Sequence, residues 1–171
     1  MSESPATKSY RALFFDELEE YHDYIAKLTE LVSADPLNAS AYNNRGVAYY
    51  EIGESANAIE DFERAAKTNK NDPIPSVNLA ELLSNKGDAK AILHYDEALA
   101  RDPTSKSLIL SRAYGLQKLG EHPSAIDGFT DAINLDPEFA QTYIARAKSH
   151  GAVGNTNKAE ADRATARALG K

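Results

Sequence analysis

Four histidines, His22, His94, His122 and His150, are the only imidazoles in this 171-residue chain, and they bound its metal and general-base chemistry. A helical metal pair needs two of them at i and i+4, and no two have that spacing. His150 falls in a column of packing residues and His122 sits beside a glycine turn, so both read as structural or surface groups. There is no cysteine, which excludes thiol nucleophiles, thiolate zinc sites, iron–sulfur clusters and disulfides. No G-x-S-x-G elbow and no phosphate-cradling glycine loop occurs; the glycines punctuate turns instead. Carboxylates are plentiful but fall on helix exteriors, where water solvates them, and no catalytic pair stands out. The expectation is a non-enzymatic protein with no catalytic residue, no bound metal and no cofactor.

Charge narrows the partners. Acidic residues outnumber basic ones by 26 to 19, a net charge of −7, and a phosphate backbone repels such a surface. Nucleic acid is therefore not an expected partner. The longest apolar runs fall far short of a membrane span, and the start MSESPATKSY has no apolar stretch behind a basic end. We expect a soluble, cytoplasmic protein that does not enter the membrane. The charge is unevenly spread: residues 1–38 carry a net −5, residues 39–139 a net −6 and residues 140–171 a net +4. Such polarity permits an acidic partner segment, or the acidic end of another copy, to meet the basic end.

Behind these residues lies a repeat. Gly46, Ala80, Ala113 and Ala147 form one column with spacings of 34, 33 and 34. Ala58, Ala91, Ala125 and Ala159 form a second, and Ala65, Ala98, Ala132 and Ala166 a third. Turn glycines at Gly53, Gly87, Gly120 and Gly154 separate the first column from the others, and one residue is missing between Gly87 and Ala91. Each unit reads as two helices about a glycine turn, with small residues at the crossing and an aromatic beside them. Ahead of the units, Phe14, Leu18, Tyr21, Ile25, Leu28 and Val32 are spaced four and three apart, one amphipathic helix to about Ser33. Tyr24 and Leu31 replace the alanines of a true repeat, so it reads as a cap. Arg45 and Asp61, and likewise Arg146 and Asp162, are sixteen apart and should pair between the two helices of a unit. Arg112 finds Gly128 in that column, with only Asp127 near.

On Tyr42, Gly46, Tyr49, Gly53, Ala58, Phe62 and Ala65 of the first unit, and Ala113, Leu116, Gly120, Ala125, Phe129, Ala132 and Pro137 of the third, the chain resembles the tetratricopeptide repeats. The second unit departs at Ser76 and the fourth at His150 and Arg163, all aromatic columns of the family. The resemblance implies an all-α, right-handed superhelical solenoid of antiparallel helix hairpins. We expect a disordered start at 1–6, a capping helix over 7–38, repeats at 39–72, 73–105 and 106–139, and a fourth at 140–171 with a polar end.

The family's architecture also implies where binding occurs, because the first helix of each unit lines a concave groove. Here that gives Asn43, Asn44, Val47 and Tyr50, then Ile74, Val77, Asn78 and Glu81, then Leu110, Ser111 and Tyr114, and last Gln141, Ile144 and Lys148. Asn44 and Asn78 share a column, and an asparagine amide both donates and accepts, so they could grip a peptide backbone; Ser111 and Ala145 interrupt the ladder. The expected role is an adaptor binding a peptide or helix of a protein partner. The alternatives are a dedicated chaperone or neutraliser of one cognate protein, as in type III secretion, and a scaffold that self-associates through its N-terminal helix or solenoid ends. The family's co-chaperones clamp a C-terminal carboxylate with basic residues, but both registers fail here, with Ile74 and Asn78 in one and Ser107 and Ser111 in the other.

Overall fold

The computed structural model describes residues 18–170. The expected disordered start at 1–6, Phe14 and the rest of the cap before Leu18 lie outside the described residues. Within them the chain is helical, with no strand: α1 Leu18–Ala34, α2 Ala39–Glu51, α3 Ser55–Thr68, α4 Ile74–Asn85, α5 Ala91–Arg101, α6 Lys106–Lys118, α7 His122–Leu135, α8 Ala140–Ala152 and α9 Thr156–Leu169. Helix α1 packs on α2, the pairs α2–α3, α4–α5, α6–α7 and α8–α9 form hairpins, and each second helix packs on the first helix of the next pair.

Local chemistry sets the boundaries. Gly53, Gly87, Gly120 and Gly154 end the first helix of each hairpin with φ of 83°, 73°, 83° and 79°, a left-handed conformation that side chains disfavour. Between hairpins, the carboxylates of Asp35, Asp72 and Asp136 accept hydrogen bonds from the backbone N–H two residues on, at 3.0, 2.9 and 3.3 Å. Asn38 caps α2 by accepting from the Ala41 amide at 2.9 Å.

The small-residue columns lie at the crossings and are buried, from Ala58, Ala91 and Ala125 to Ala166. They let backbones approach, and Phe62, Tyr95 and Phe129 fill the adjoining space at no more than 2% exposure. The contact is tight: a Cβ at Gly46 would stand 2.7 Å from the Phe62 ring. Helix α4 is enclosed on every side, with Pro75 through Ser84 all buried. At the front, Leu28 and Val32 of α1 pack on Ala41, Tyr42 and Ala65, while Leu31 stays exposed.

The expected ion pairs are present. Arg45 donates through two nitrogens to Asp61 at 2.7 and 2.8 Å, and Arg146 to Asp162 at 2.9 and 2.7 Å. Each guanidinium also reaches back sixteen residues, to the hydroxyl of Thr29 at 3.1 Å and of Thr130 at 3.0 Å. Arg112 follows that backward rule: its partner is Asp96 of the preceding hairpin at 2.6 Å, not Asp127. Its own second helix offers Gly128 in the forward column, so only the backward acceptor remains. The arginines therefore tie the first, third and fourth hairpins to the helix before each.

Candidate functional site

The first helices touch one another through polar side chains, which assembles the expected residues into one face. Asn78 donates to Asn43 at 3.0 Å, linking α4 to α2. The sequence suggests an Asn44–Asn78 ladder open to a ligand; the structure instead turns Asn78 into the stack, where Asn43 and Asn78 are 5% and 7% exposed. Asn44 is half-buried. Val77, Glu81, Leu110 and Ser111 are buried as well, because the enclosed α4 draws its neighbours inward. Glu81 lies close to the Tyr95 phenol; burial first, and that carboxylate second, raise the phenol's pKa above its ordinary value.

Toward the rim the side chains open. Val47, Tyr50, Ile74 and Tyr114 are half-buried, and Gln141, Ile144 and Lys148 on α8 are exposed, Ile144 by 48%. Val47, Tyr50, Asn78 and Glu81 line a small cavity over Phe62 and Leu82. A second hollow of about 260 Å³ lies at the N-terminal ends of α4 and α6, with Ile74, Val77, Ser107, Leu108 and Ser111 among its walls. The Tyr114 ring is held edge-on to Phe129 at 5.1 Å.

A polar row ties the first helices to one another. Asn85 donates to the Tyr50 hydroxyl at 3.1 Å and accepts from the Lys118 ammonium at 2.7 Å, joining α2, α4 and α6 at their C-terminal ends. Gln117 continues the linkage to α8, donating to the Ala145 carbonyl at 2.8 Å and the Ser149 hydroxyl at 2.6 Å. Asn85 and Lys118 share a column with Glu51, whereas Tyr50 sits one residue out of register in the column of Ser84, so no column of like residues marks the row. Among the described residues no group of three or more histidines or carboxylates could hold a metal ion. No described helix is long and apolar enough to cross a membrane.

Known proteins resemble the chain as follows. The tetratricopeptide-repeat family matches residues 39–72. Human general transcription factor 3C polypeptide 3 is 26% identical over 131 residues, 75% of this chain and 15% of its own length. Stress-induced-phosphoprotein 1 of Caenorhabditis elegans is 29% identical over 109 residues, 59% of this chain and 34% of its own. The chain thus spans 15% and 34% of the length of these relatives. In fold it is similar to MamA, with a TM-score of 0.78 at 19% identity over 99% of this chain and 96% of that one. It is also similar to YrrB, described as a TPR protein with an unusual peptide-binding site, with a TM-score of 0.73 at 18% identity over 89% and 79%. Repeating columns, hairpins turned on left-handed glycines and these likenesses agree: residues 39–72 match the tetratricopeptide repeat, and the described chain has the fold of a tetratricopeptide-repeat solenoid.

Proposed function

We propose that the chain is a non-enzymatic interaction adaptor that takes a peptide or helix of a protein partner against the face of its first helices. The observation that carries this is the opening of that face at α8, where Ile144 stands 48% exposed between Gln141 and Lys148. The face is held before any partner arrives, since the Tyr50–Asn85–Lys118 row and the Gln117 bonds fix the helices to one another. Asn44, Val47, Tyr50, Ile74 and Tyr114 continue the surface toward the first hairpin, with Asn43, Val77, Asn78, Glu81, Leu110 and Ser111 supporting it from beneath. The peptide-binding site named for YrrB and the co-chaperone role named for the relative DNJ1 of Cryptococcus neoformans accord with a binding role. A carboxylate-tail clamp is not part of the proposal, because Ile74 and the Asn43-bonded Asn78 stand where basic residues would be needed.

Selection of binders from a random twelve-residue peptide library, followed by fluorescence anisotropy, tests this. Peptides that bind wild-type protein should weaken at least about tenfold with Ile144→Glu, the effect of losing one buried aliphatic contact. Binders indifferent to Ile144→Glu and Asn44→Ala would move the site elsewhere. Self-association in place of peptide binding would favour the scaffold alternative.

A further inference from the structure

The second hairpin breaks the arginine column. Where the other three carry Arg45, Arg112 and Arg146, it carries Leu79, 1% exposed. The forward aspartate column, Asp61 and Asp162 elsewhere, holds His94, one residue early because of the deletion after Gly87. The backward acceptor column, Thr29, Asp96 and Thr130 elsewhere, holds Glu63. So the acceptor survives while the guanidinium that would bind it is missing.

The space shows this. Between α3 and α5, on the side away from the first helices, a cleft of about 600 Å³ opens over Leu79. Glu63 and Ala66 wall it from α3, and His94, Glu97 and Ala100 from α5. His94 stands 3.4 Å from Glu97. Its other end is basic, with Lys67 and Lys70, but Arg101 there is engaged by the Lys70 and Glu97 carbonyls and the Ser76 hydroxyl. The cleft is thus dipolar, with carboxylates at the end that matches the arginine column.

We propose that this outer cleft receives an arginine side chain from a partner polypeptide, its stem against Ala66 and Ala100 above Leu79 and its guanidinium between Glu63 and Glu97, in the place that the other hairpins fill with their own arginine. Arginine suits it because a long apolar stem ends in a planar donor fork, and the floor is apolar while the wall is a carboxylate. This surface is separate from the first-helix face and stands whether or not that face binds a peptide.

Titration of 15N-labelled protein with the peptides acetyl-Gly-Arg-Gly-amide, acetyl-Gly-Gln-Gly-amide and acetyl-Gly-Glu-Gly-amide tests it by amide chemical shifts. The arginine peptide should shift Glu63, Lys67, His94 and Glu97 saturably, and the glutamine peptide should not. Glu63→Gln, at an exposed position, should weaken the arginine peptide about two- to fivefold. Leu79→Arg should supply the guanidinium in cis and abolish the shifts; Glu63→Gln keeps the test decisive if that variant does not fold. Saturable shifts from the glutamate peptide instead, arginine shifts scattered over the acidic surface, or shifts unchanged by Glu63→Gln would overturn the proposal.

Discussion

At the scale of single residues, the depth of an ion pair decides its worth. In the Arg45–Asp61 pair the side chains are 14% and 6% exposed, and in Arg146–Asp162 18% and 8%. At that depth both ions lose most of their water, and attraction offsets this only with good geometry. The geometry is good: both contacts are two-pronged, and Tyr42, Tyr49 and Tyr143 lie 5.6, 5.8 and 5.7 Å from the guanidinium carbons. The hydrogen bond to each aspartate holds the guanidinium pKa above its ordinary value although burial opposes it, so both arginines stay charged. Arg45→Leu strands the Asp61 carboxylate, and urea unfolding should show a loss of about 3 kcal/mol. Arg45→Leu with Asp61→Leu should cost less than that single change, because no buried charge is left behind; a double variant as weak as the sum of the singles would refute this. Arg112→Leu is the contrast, since Arg112 and Asp96 are 30% and 52% exposed, and it should cost under about 1 kcal/mol.

At the scale of elements, helix propensity and close packing make opposite demands, and three glycines separate them. A Cβ at Gly115 of α6 would collide with the Tyr95 ring, whereas one at Gly151 of α8 would meet nothing within 4 Å. Gly115→Ala should therefore destabilise by about 1–3 kcal/mol despite its better propensity, and Gly46→Ala should follow it against Phe62. Gly151→Ala should stabilise by up to about 1 kcal/mol, with all three variants read by urea unfolding. Much of this architecture is legible in the chain. Glycine and alanine columns mark the crossings, and their period marks the hairpins, because backbone approach admits few residue types. The Arg45–Asp61 and Arg146–Asp162 pairs are legible because both partners sit in fixed columns. The backward bonds from the arginines to Thr29, Asp96 and Thr130 were equally periodic but chemically mixed, a hydroxyl in two cases and a carboxylate in the third. The face of the first helices is the least legible part. Which neighbouring asparagine turns inward depends on the rotation of α2 against α4, and a period of 34 does not fix a rotation.

At the scale of the whole molecule, a stack in which each helix meets only near neighbours is held unevenly. Helix α4 is enclosed by four others, whereas α9 has only α8 as a substantial neighbour among the described helices. Amide hydrogen exchange should therefore be slowest in α4 and α5 and fastest in the end helices α1 and α9, each with one such neighbour, as local opening needs less surface to be exposed there. The last hairpin also carries His150 in a packing column at 6% exposure, its Nδ1 buried without a hydrogen-bond partner. Burial lowers the imidazole pKa, Arg146 and Lys158 push the same way, and Asp162 opposes them. The sign follows from which state takes the proton first. The unfolded imidazole binds it near its ordinary pKa of about 6.5 and the folded one only at lower pH, so stability falls as pH drops through that window. Because the loss is confined to α8 and α9, protection factors there should decline between about pH 7.5 and about pH 5 while those of α4 hold. His150→Phe, which restores the aromatic of that column and cannot titrate, should remove the difference between the last hairpin and α4. A decline shared equally by α4, or one that persists in His150→Phe, would mean that acid acts through the carboxylates of the whole stack and not through this imidazole.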